Sequence, residues 1–257
     1  MKRKTEPKNI NLALYFFLLV AFIILVSVVF KIAEVVRHSK FDGKHSFSVA
    51  VLEKNSTSVI FSSPQDGSIT SVGISPKIGT DTLKSLGVPM DGYINSTSSI
   101  INSPKSAFVK AIIHKSSIQT DLTILDLLRL SLFAQGVGGD NFIDRKLNIK
   151  DFDFSSLVSK LFIDPAIEAE KVSIVVTNST DIPGLGNKVA KYIGDMGANV
   201  VLVNSSPAPI KDSRIYFKDK SYTVERISKA LGIKKEMKEG NPISDVTIII
   251  GEDKADF

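Results

Sequence analysis

The sequence predicts an α/β protein with one transmembrane helix and a larger part outside the membrane, which ends in a small two-layer β-α-β-β-α-β sandwich. The first observation is an uncharged apolar run, Leu12–Phe30, whose about 19 residues come close to the roughly 20 that a helix needs to cross a bilayer. The second is an alternation of strand-like and helix-like patterns after Glu170. That alternation occupies about 85 residues, near the size at which such a sandwich encloses a core.

The apolar run is predicted to be an uncleaved anchor in a lipid bilayer. No small-x-small cleavage site follows it, and the sequence KIAEVVRHSK continues a helical pattern beyond Phe30. The flank that precedes it is short and carries the basic residues Lys2, Arg3, Lys4 and Lys8.

The positive-inside rule then predicts the topology. Residues 1–11 form a cytoplasmic basic tail, 12–30 the span and 31–45 a juxtamembrane linker, with the bulk of the chain extracytoplasmic. A chain without Cys is compatible with a bacterial envelope, so the expected location is the bacterial cytoplasmic membrane, crossed once with the amino end inside.

The amino-acid composition limits which kinds of functional site and partner are expected. There is no Cys, and the three His are not at metal-ligand spacing, so we expect no disulfide, no metal site and no cofactor. The net charge of +5 comes from clusters at the two ends of the apolar run, which indicates a membrane surface. No Arg stripe interleaved with aromatic residues is present, so no nucleic-acid partner is expected.

The part from 46 to 165 shows short strand patterns and two predicted helices. Candidate strands are residues 47–53, 58–63, 68–74 and 88–95, and a short helix over 81–87 is closed by Gly87. A longer helix is predicted between a Thr120 amino cap and a Gly136 carboxyl cap. Its stripe of Leu122, Leu125, Leu128 and Leu132 is predicted to pack in the core. A further short helix over 154–162 precedes a boundary at Pro165.

Within residues 170–257, a Gly-x-Gly turn joins the first strand to the first helix. A dinucleotide fingerprint would need a small sixth residue and an acidic end to the next strand, but Val189 and Asn204-Ser205-Ser206 stand there. We therefore favour a structural role for these glycines over a nucleotide site. The free amides of the helix start leave a candidate ligand- or anion-binding turn, formed by Asn178, Pro183, Gly184 and Gly186.

The same residues carry a family resemblance. Asn178 to Thr180, Pro183-Gly184-Leu185, Gly197 to Val200 and Asp245 to Asp253 resemble the carboxyl-terminal domain attached to LytR–CpsA–Psr proteins of bacterial cell envelopes. Gly186 stands where that family usually has Ala. The resemblance implies an extracytoplasmic domain over 170–257 with no assigned catalytic residues.

Residues 46–165 are similar, more faintly, to the LytR–CpsA–Psr catalytic domain, whose members transfer a glycopolymer from a polyprenyl pyrophosphate carrier to the wall. The matching segments are Ser63-Pro64-Gln65-Asp66 and Gly87 to Tyr93. Gln65 replaces the family's pyrophosphate-gripping Arg, and no Arg occurs between Tyr93 and Thr120. This part is therefore expected to be a shortened, degenerate LytR–CpsA–Psr-like domain.

The functional expectation is a non-catalytic binding or scaffolding protein of the envelope. The alternative is an active phosphotransferase that attaches lipid-linked glycopolymers to the wall, with Asp66 and Asp91 as its catalytic candidates; both are otherwise turn-forming aspartates. Expected partners are cell-wall glycan, polyprenyl phosphate or other envelope proteins.

Overall fold

A long helix begins the computed structural model, which describes residues 10–97, 104–238 and 243–257. Helix α1 (Ile10–His38) has 29 residues, and at 1.5 Å per residue it is about 43 Å long. Within the described residues it is the one helix that is long and apolar enough to cross a membrane. The predicted basic residues Lys2, Arg3, Lys4 and Lys8 lie outside the described residues.

The segment after α1 is held against the body of the protein. The carboxylate of Asp126 accepts hydrogen bonds from the Ser39 hydroxyl at 2.7 Å and from the amides of Lys40 and Phe41 at 2.8 Å each. Arg129 donates to the Phe41 carbonyl at 2.8 Å, and the Phe41 ring is buried. The residues predicted as a linker therefore divide into a helical extension of α1 and a short segment fixed by hydrogen bonds.

A mixed sheet forms the next part of the chain. Its strands lie in the order β5-β4-β1-β2-β3-β6, with β1 parallel to β4 and antiparallel to β2. They are β1 (Phe47–Leu52), β2 (Thr57–Ser63), β3 (Ser68–Ser75), β4 (Gly92–Ser96), β5 (Ile118–Thr120) and β6 (Phe142–Asn148). Strands β1 to β4 overlap the predicted strands, although β4 begins only at Gly92. Strands β5 and β6 were not predicted.

Helices cover both faces of this sheet, so its central strands are buried on two sides. The helices are α2 (Thr80–Ser85), α3 (Pro104–Ile113), α4 (Ile124–Gly136) and α5 (Phe154–Leu161). Val49 and Val51 belong to the core under α3 and α4, whereas Ala50 points to the core that contains residues of α2 and α5. Such two-sided burial explains the nearly continuous apolar runs in β1 and β2.

Helix α4 differs from its prediction in two ways. Its amino cap is Thr123, which forms a capping box with Asp126, while Thr120 ends strand β5. The predicted core stripe is also wrong for half of its members, because Leu128 and Leu132 are 45% and 70% exposed. The buried residues of α4 are instead Asp126, Leu127, Leu130, Ser131 and Ala134.

A second mixed sheet forms the carboxyl-terminal part, in the order β10-β9-β11-β7-β8. Its elements are α6 (Pro165–Glu170), β7 (Ser173–Asn178), α7 (Leu185–Asp195), β8 (Asn199–Ser205), β9 (Arg214–Phe217), α8 (Tyr222–Leu231), β10 (Lys234–Met237) and β11 (Val246–Ile250). All the predicted elements of this part are present, and β10 is an additional strand. Pro165 begins α6, where a residue without an N–H fits the first turn.

The two long helices of this part share one core with the sheet. Alternate residues of β7 and β11, such as Ile174 and Ile248, pack against Val189 of α7 and Ile227 of α8. Ile167 of α6 joins the same core, so α6 belongs with the second sheet although it precedes it in the chain.

Replacing Asp126 with Asn is expected to lower the free energy of unfolding by about 1–3 kcal/mol at pH 7, because buried donors lose a charged acceptor. Burial opposes ionisation of Asp126, but hydrogen bonds from Ser39, Phe41 and Thr123 outweigh it and lower its pKa below 3.8. A carboxyl group with a lowered folded-state pKa contributes stability above its unfolded pKa, and that stability is lost as pH falls through the folded value.

The difference in free energy of unfolding between wild type and Asp126→Asn should therefore shrink as pH falls below 3.8. Chemical unfolding of the detergent-solubilised chain at neutral and acidic pH measures it. Asp140→Asn, in an exposed turn, is the control and should change little at either pH. An equal loss at both pH values would show that the Asp126 charge does not contribute.

Candidate functional site

The two sheets meet at residues 87–93, which we call the contact segment. Its first residue, Gly87, has φ +83°, a conformation that favours glycine. A Cβ at this position would lie 2.6 Å from Oδ2 of Asp195 and 2.8 Å from Nζ of Lys191, both on α7. The ends of these two flexible side chains would have to move to admit a Cβ, and the backbone conformation would strain any other residue here.

Tyr192, also on α7, contacts the middle of this segment. Its hydroxyl accepts a hydrogen bond from the Met90 amide at 3.3 Å, and the side chain is fully buried. Burial raises the pKa of Tyr192 to about 12, so the phenol is neutral at physiological pH.

Asp91 forms the strongest contact between the sheets. Both oxygens of its carboxylate accept hydrogen bonds from Arg226 of α8, and the Nη2–Oδ2 distance is 2.7 Å. The amide and hydroxyl of Ser48 donate to the same carboxylate at 2.8 and 3.1 Å. The side chains of Arg226 and Asp91 are only 9% and 8% exposed, so the pair is shielded from water.

A second carboxylate and a tyrosine complete what we call the interface cluster, namely Asp91, Asp164, Tyr222 and Arg226. Nε of Arg226 lies 3.5 Å from Oδ2 of Asp164, an ion-pair contact rather than a hydrogen bond. The Tyr222 hydroxyl donates to the same Oδ2 at 2.7 Å. Burial by itself would lower the pKa of Arg226, but Asp91 outweighs it and keeps the guanidinium charged.

The structure places the two catalytic candidates apart. Asp66 is in the exposed turn after β2 and accepts a hydrogen bond from Ser63 at 2.8 Å, whereas Asp91 belongs to the interface cluster. The two lie at the same end of the first sheet, but β1 separates their strands, which puts those strands about 10 Å apart. Among residues 10–97, 104–238 and 243–257, no group of three or more His, Asp or Glu side chains could hold a metal ion.

The candidate anion-binding turn is internally bonded. Nδ2 of Asn178 donates to the Ile182 carbonyl at 2.9 Å, and its Oδ1 accepts from the Thr180 hydroxyl at 2.7 Å. Pro183 is exposed one residue before Gly184, the amino cap of α7, which has φ +79°. A Cβ on Gly186 would lie 3.2 Å from Cβ of Asn178, so this glycine allows α7 to pack closely on β7. Anion binding at this turn stays a prediction.

A basic cleft of about 440 Å³ opens beside the interface cluster. Four lysines line it, namely Lys40, Lys84, Lys229 and Lys254. Lys40 pairs with Asp121 at 2.5 Å, and Asp91, the other carboxylate of the lining, is neutralised by Arg226. Positive charge is therefore in excess in this cleft. An adjoining cavity of about 420 Å³ shares Lys40 and Lys229 and adds Arg37.

The sequence did not reveal this cleft. Its lysines come from the segment after α1, from α2, from α8 and from the last turn of the chain, so they form no local motif. The clustering of Lys and Arg near α1 was visible, but only the folded chain brings Lys40 beside Lys229.

Replacing Arg226 with Met is expected to lower the free energy of unfolding by about 3–5 kcal/mol, because Asp91 and Asp164 would be left as buried charges. The double variant Arg226→Met/Asp91→Leu should recover a substantial part of that loss. Thermal or chemical unfolding of the full chain in detergent measures both effects.

Arg214→Met is the matched control for this prediction. Arg214 pairs with Asp212 at 3.3 Å, but the two side chains are 32% and 68% exposed, so the loss should be about 1 kcal/mol or less. Equal losses at the two arginines would mean that the interface cluster contributes no more than a surface pair.

The carboxyl-terminal part of the chain matches a known protein family. Residues 171–253 match the family described as LytR cell envelope-related transcriptional attenuator. No match was found among curated proteins.

Two solved structures are similar to part of the chain. One is the transcriptional regulator YvhJ from Bacillus subtilis, with 15% identity and a TM-score of 0.32 over 42% of this chain and 83% of that one. Another is the Lin1025 protein from Listeria innocua, with 14% identity and a TM-score of 0.31 over 40% of this chain and 83% of that one.

The family match covers α7, α8 and the whole of the second sheet. It therefore confirms the predicted resemblance to a LytR carboxyl-terminal domain. The domain bounds 170–257 stay a prediction. The match does not reach residues 46–165, whose LytR–CpsA–Psr-like character stays a prediction. What is established is a mixed α/β chain with an apolar amino-terminal helix and a region similar to the LytR carboxyl-terminal domain.

Proposed function

We propose that this protein is a membrane-anchored, extracytoplasmic protein of the bacterial envelope that binds anionic glycopolymers without transforming them. The proposal that the protein does not catalyse a reaction rests on the bidentate ion pair between Asp91 and Arg226. Asp91 stands in the segment that resembles the LytR–CpsA–Psr enzymes, and its carboxylate is already bound by a guanidinium and by Ser48.

Phosphoryl transfer concentrates negative charge on oxygens that need cations beside them. In this chain Gln65 replaces the expected arginine, and Arg226 faces a carboxylate. Asp66 lies in the turn after β2 and Asp91 precedes β4, with β1 between those strands. Both carboxylate oxygens of Asp91 already accept from Arg226, so Asp91 is not free to bind a metal ion together with Asp66. Residues 46–165 would accordingly be a degenerate relative of the enzymes, retained as a binding and scaffolding unit.

The basic cleft supports a binding role. Lys84 and Lys229 line this concave surface, and their ammonium groups can approach a phosphate or carboxylate oxygen. Lys254 donates to the Gly232 carbonyl at 3.3 Å and lies 3.9 Å from Asp253. Lysine forms point-charge contacts rather than bidentate clamps, which suits a flexible polymer whose anionic groups repeat along the chain. The ligand class is therefore a phosphate- or carboxylate-bearing wall glycopolymer. Polyprenyl phosphate and other envelope proteins, also expected from the sequence, are weaker candidates for this cleft because it is highly charged.

The binding test compares two charge-reversal variants of the full chain in lipid nanodiscs. Lys84→Glu/Lys229→Glu is expected to weaken binding of a phosphodiester-rich glycopolymer by on the order of tenfold, which corresponds to about 1.4 kcal/mol. Lys150→Glu/Lys188→Glu makes the same change in net charge at exposed lysines outside the cleft, and should bind nearly as wild type. Wild-type affinity should fall with added salt, and a neutral glycan should not bind.

The same reactions, supplied with a lipid-linked glycopolymer and Mg²⁺ or Mn²⁺, test catalysis. We expect no release of polyprenyl phosphate from the wild type and none from a Gln65→Arg variant. Release that Asp66→Ala abolishes would establish the phosphotransferase alternative and contradict the non-catalytic proposal.

A topology test addresses the anchor. A reporter that works only in the cytoplasm is expected to be active when fused before Leu12 and inactive when fused after Phe257, because the amino-terminal positive charges favour the inside. The reverse pattern would overturn the orientation, and two soluble fusion proteins would overturn the anchor itself.

A further inference from the structure

Helix α4 is apolar on its outer side as well as on its buried side, where Leu127, Leu130 and Ala134 pack. Two of its polar residues, Asp126 and Ser131, are buried, at 0% and 5% exposure. Its exposed line consists of Ile124, Leu128 and Leu132, spaced four residues apart and therefore on one side of the helix. A helix at a water surface shows the opposite arrangement, with polar residues outside. The outer side of α4 thus has the character of a surface that faces something apolar.

This line of apolar residues is continuous with α1. A groove of about 350 Å³ between the two helices is lined by Ile124, Leu125 and Leu128 of α4 and, on α1, by Val28, Lys31, Ile32, Val35 and Val36. Every residue of this lining except Lys31 is apolar. Val28 lies inside the apolar run, and Val36 lies about 12 Å further along the helix. The groove therefore begins at the height where α1 would leave the hydrocarbon.

We propose that the outer side of α4 lies in the membrane boundary, so that the protein contacts the bilayer through α4 as well as through α1. The occupant of the groove is the acyl-chain and headgroup region of the outer leaflet. This inference rests on the proposed membrane anchoring of α1.

Three observations favour lipid over a protein partner. The apolar surface of α4 adjoins a helix with the length and composition of a membrane span. The one charged residue that lines the groove is Lys31, whose long side chain can extend its ammonium group to anionic headgroups. The anchoring of Ser39, Lys40 and Phe41 to Asp126 also fixes the height of α4 relative to the end of α1. Apolar faces of interfacial helices enter a bilayer by about 5–10 Å.

The absence of Trp from the chain allows a direct test. Four single-Trp variants of the full chain are placed in nanodiscs at one chain per disc, with acyl chains either brominated or plain. For Leu132→Trp we expect blue-shifted emission and an about twofold or greater loss of intensity with brominated lipid, since the indole would lie within the boundary. Leu128→Trp provides a second reporter if the first variant fails to fold.

Phe152→Trp and Phe22→Trp are the controls. Phe152 is fully exposed between β6 and α5, so a Trp there should emit as in water and resist quenching. Phe22 lies within α1, so a Trp there should be quenched if α1 spans the bilayer, which tests the proposed anchor separately. Quenching at Phe22 without quenching at Leu132 or Leu128 would overturn the contact of α4 with lipid. A blue shift at Leu132 without lipid quenching would do the same, because it would indicate cover by protein.

Discussion

The buried ion pair between Arg226 and Asp91 fixes how the two sheets sit against each other. Removing a guanidinium and a carboxylate from water carries a large desolvation cost, which is offset only when the geometry is good and the remaining polar atoms are bonded. Here both oxygens of Asp91 accept from Arg226, Ser48 donates twice, and Asp164 lies beside the guanidinium. Such a pair contributes little net stability, but a shift of one sheet against the other would expose unpaired charges. Its effect is therefore to select a single arrangement.

This ion pair has a chemical consequence for the contact segment, which the sequence predicts to resemble part of the LytR–CpsA–Psr catalytic domain. Gly87, Met90 and Asp91 all contact the carboxyl-terminal part, through α7 or α8. Residues 90–93 of this segment still line the basic cleft, but the carboxylate of Asp91 is occupied by Arg226 and Ser48, so it is not available to a pyrophosphate or to a metal ion. The charge that remains accessible nearby is that of Lys84 and Lys229, on the open side of the same junction. The junction between the two sheets thus has two parts. The interface cluster is buried and its charges are paired, whereas the basic cleft is open and carries excess positive charge.

Much of the fold follows from local patterns in the sequence, and its failures have identifiable causes. Helices α7 and α8 and strands β7, β8, β9 and β11 were predicted because each has clear periodicity and a glycine or serine at its end. Helix α6 was not predicted, and Pro165 was predicted only as a boundary. Strand β10 was missed because KKEM has no apolar alternation and forms only as an edge beside β9. The cap of α4 was misplaced at Thr120, although Thr123 with Asp126 three residues later is the local capping-box pattern that Thr120 lacks. The leucine stripe was assigned to the core because periodicity shows that a face is apolar but not what covers it. The interface cluster and the basic cleft consist of residues that are far apart in the chain, so no pattern of residue spacing could have predicted them.

Helix α1 continues unbroken to His38, and Ser39, Lys40 and Phe41 are then bonded to Asp126, so a hydrogen-bonded segment joins α1 to the first sheet. A tethered binding domain on a flexible linker searches a hemisphere whose radius grows with linker length. If α1 spans a membrane and the basic cleft binds a glycopolymer, as proposed, the cleft is held at a fixed distance from the bilayer and engages only polymers within that distance. Tilting of α1 would then move the bound polymer, and tension on the polymer would act back on α1.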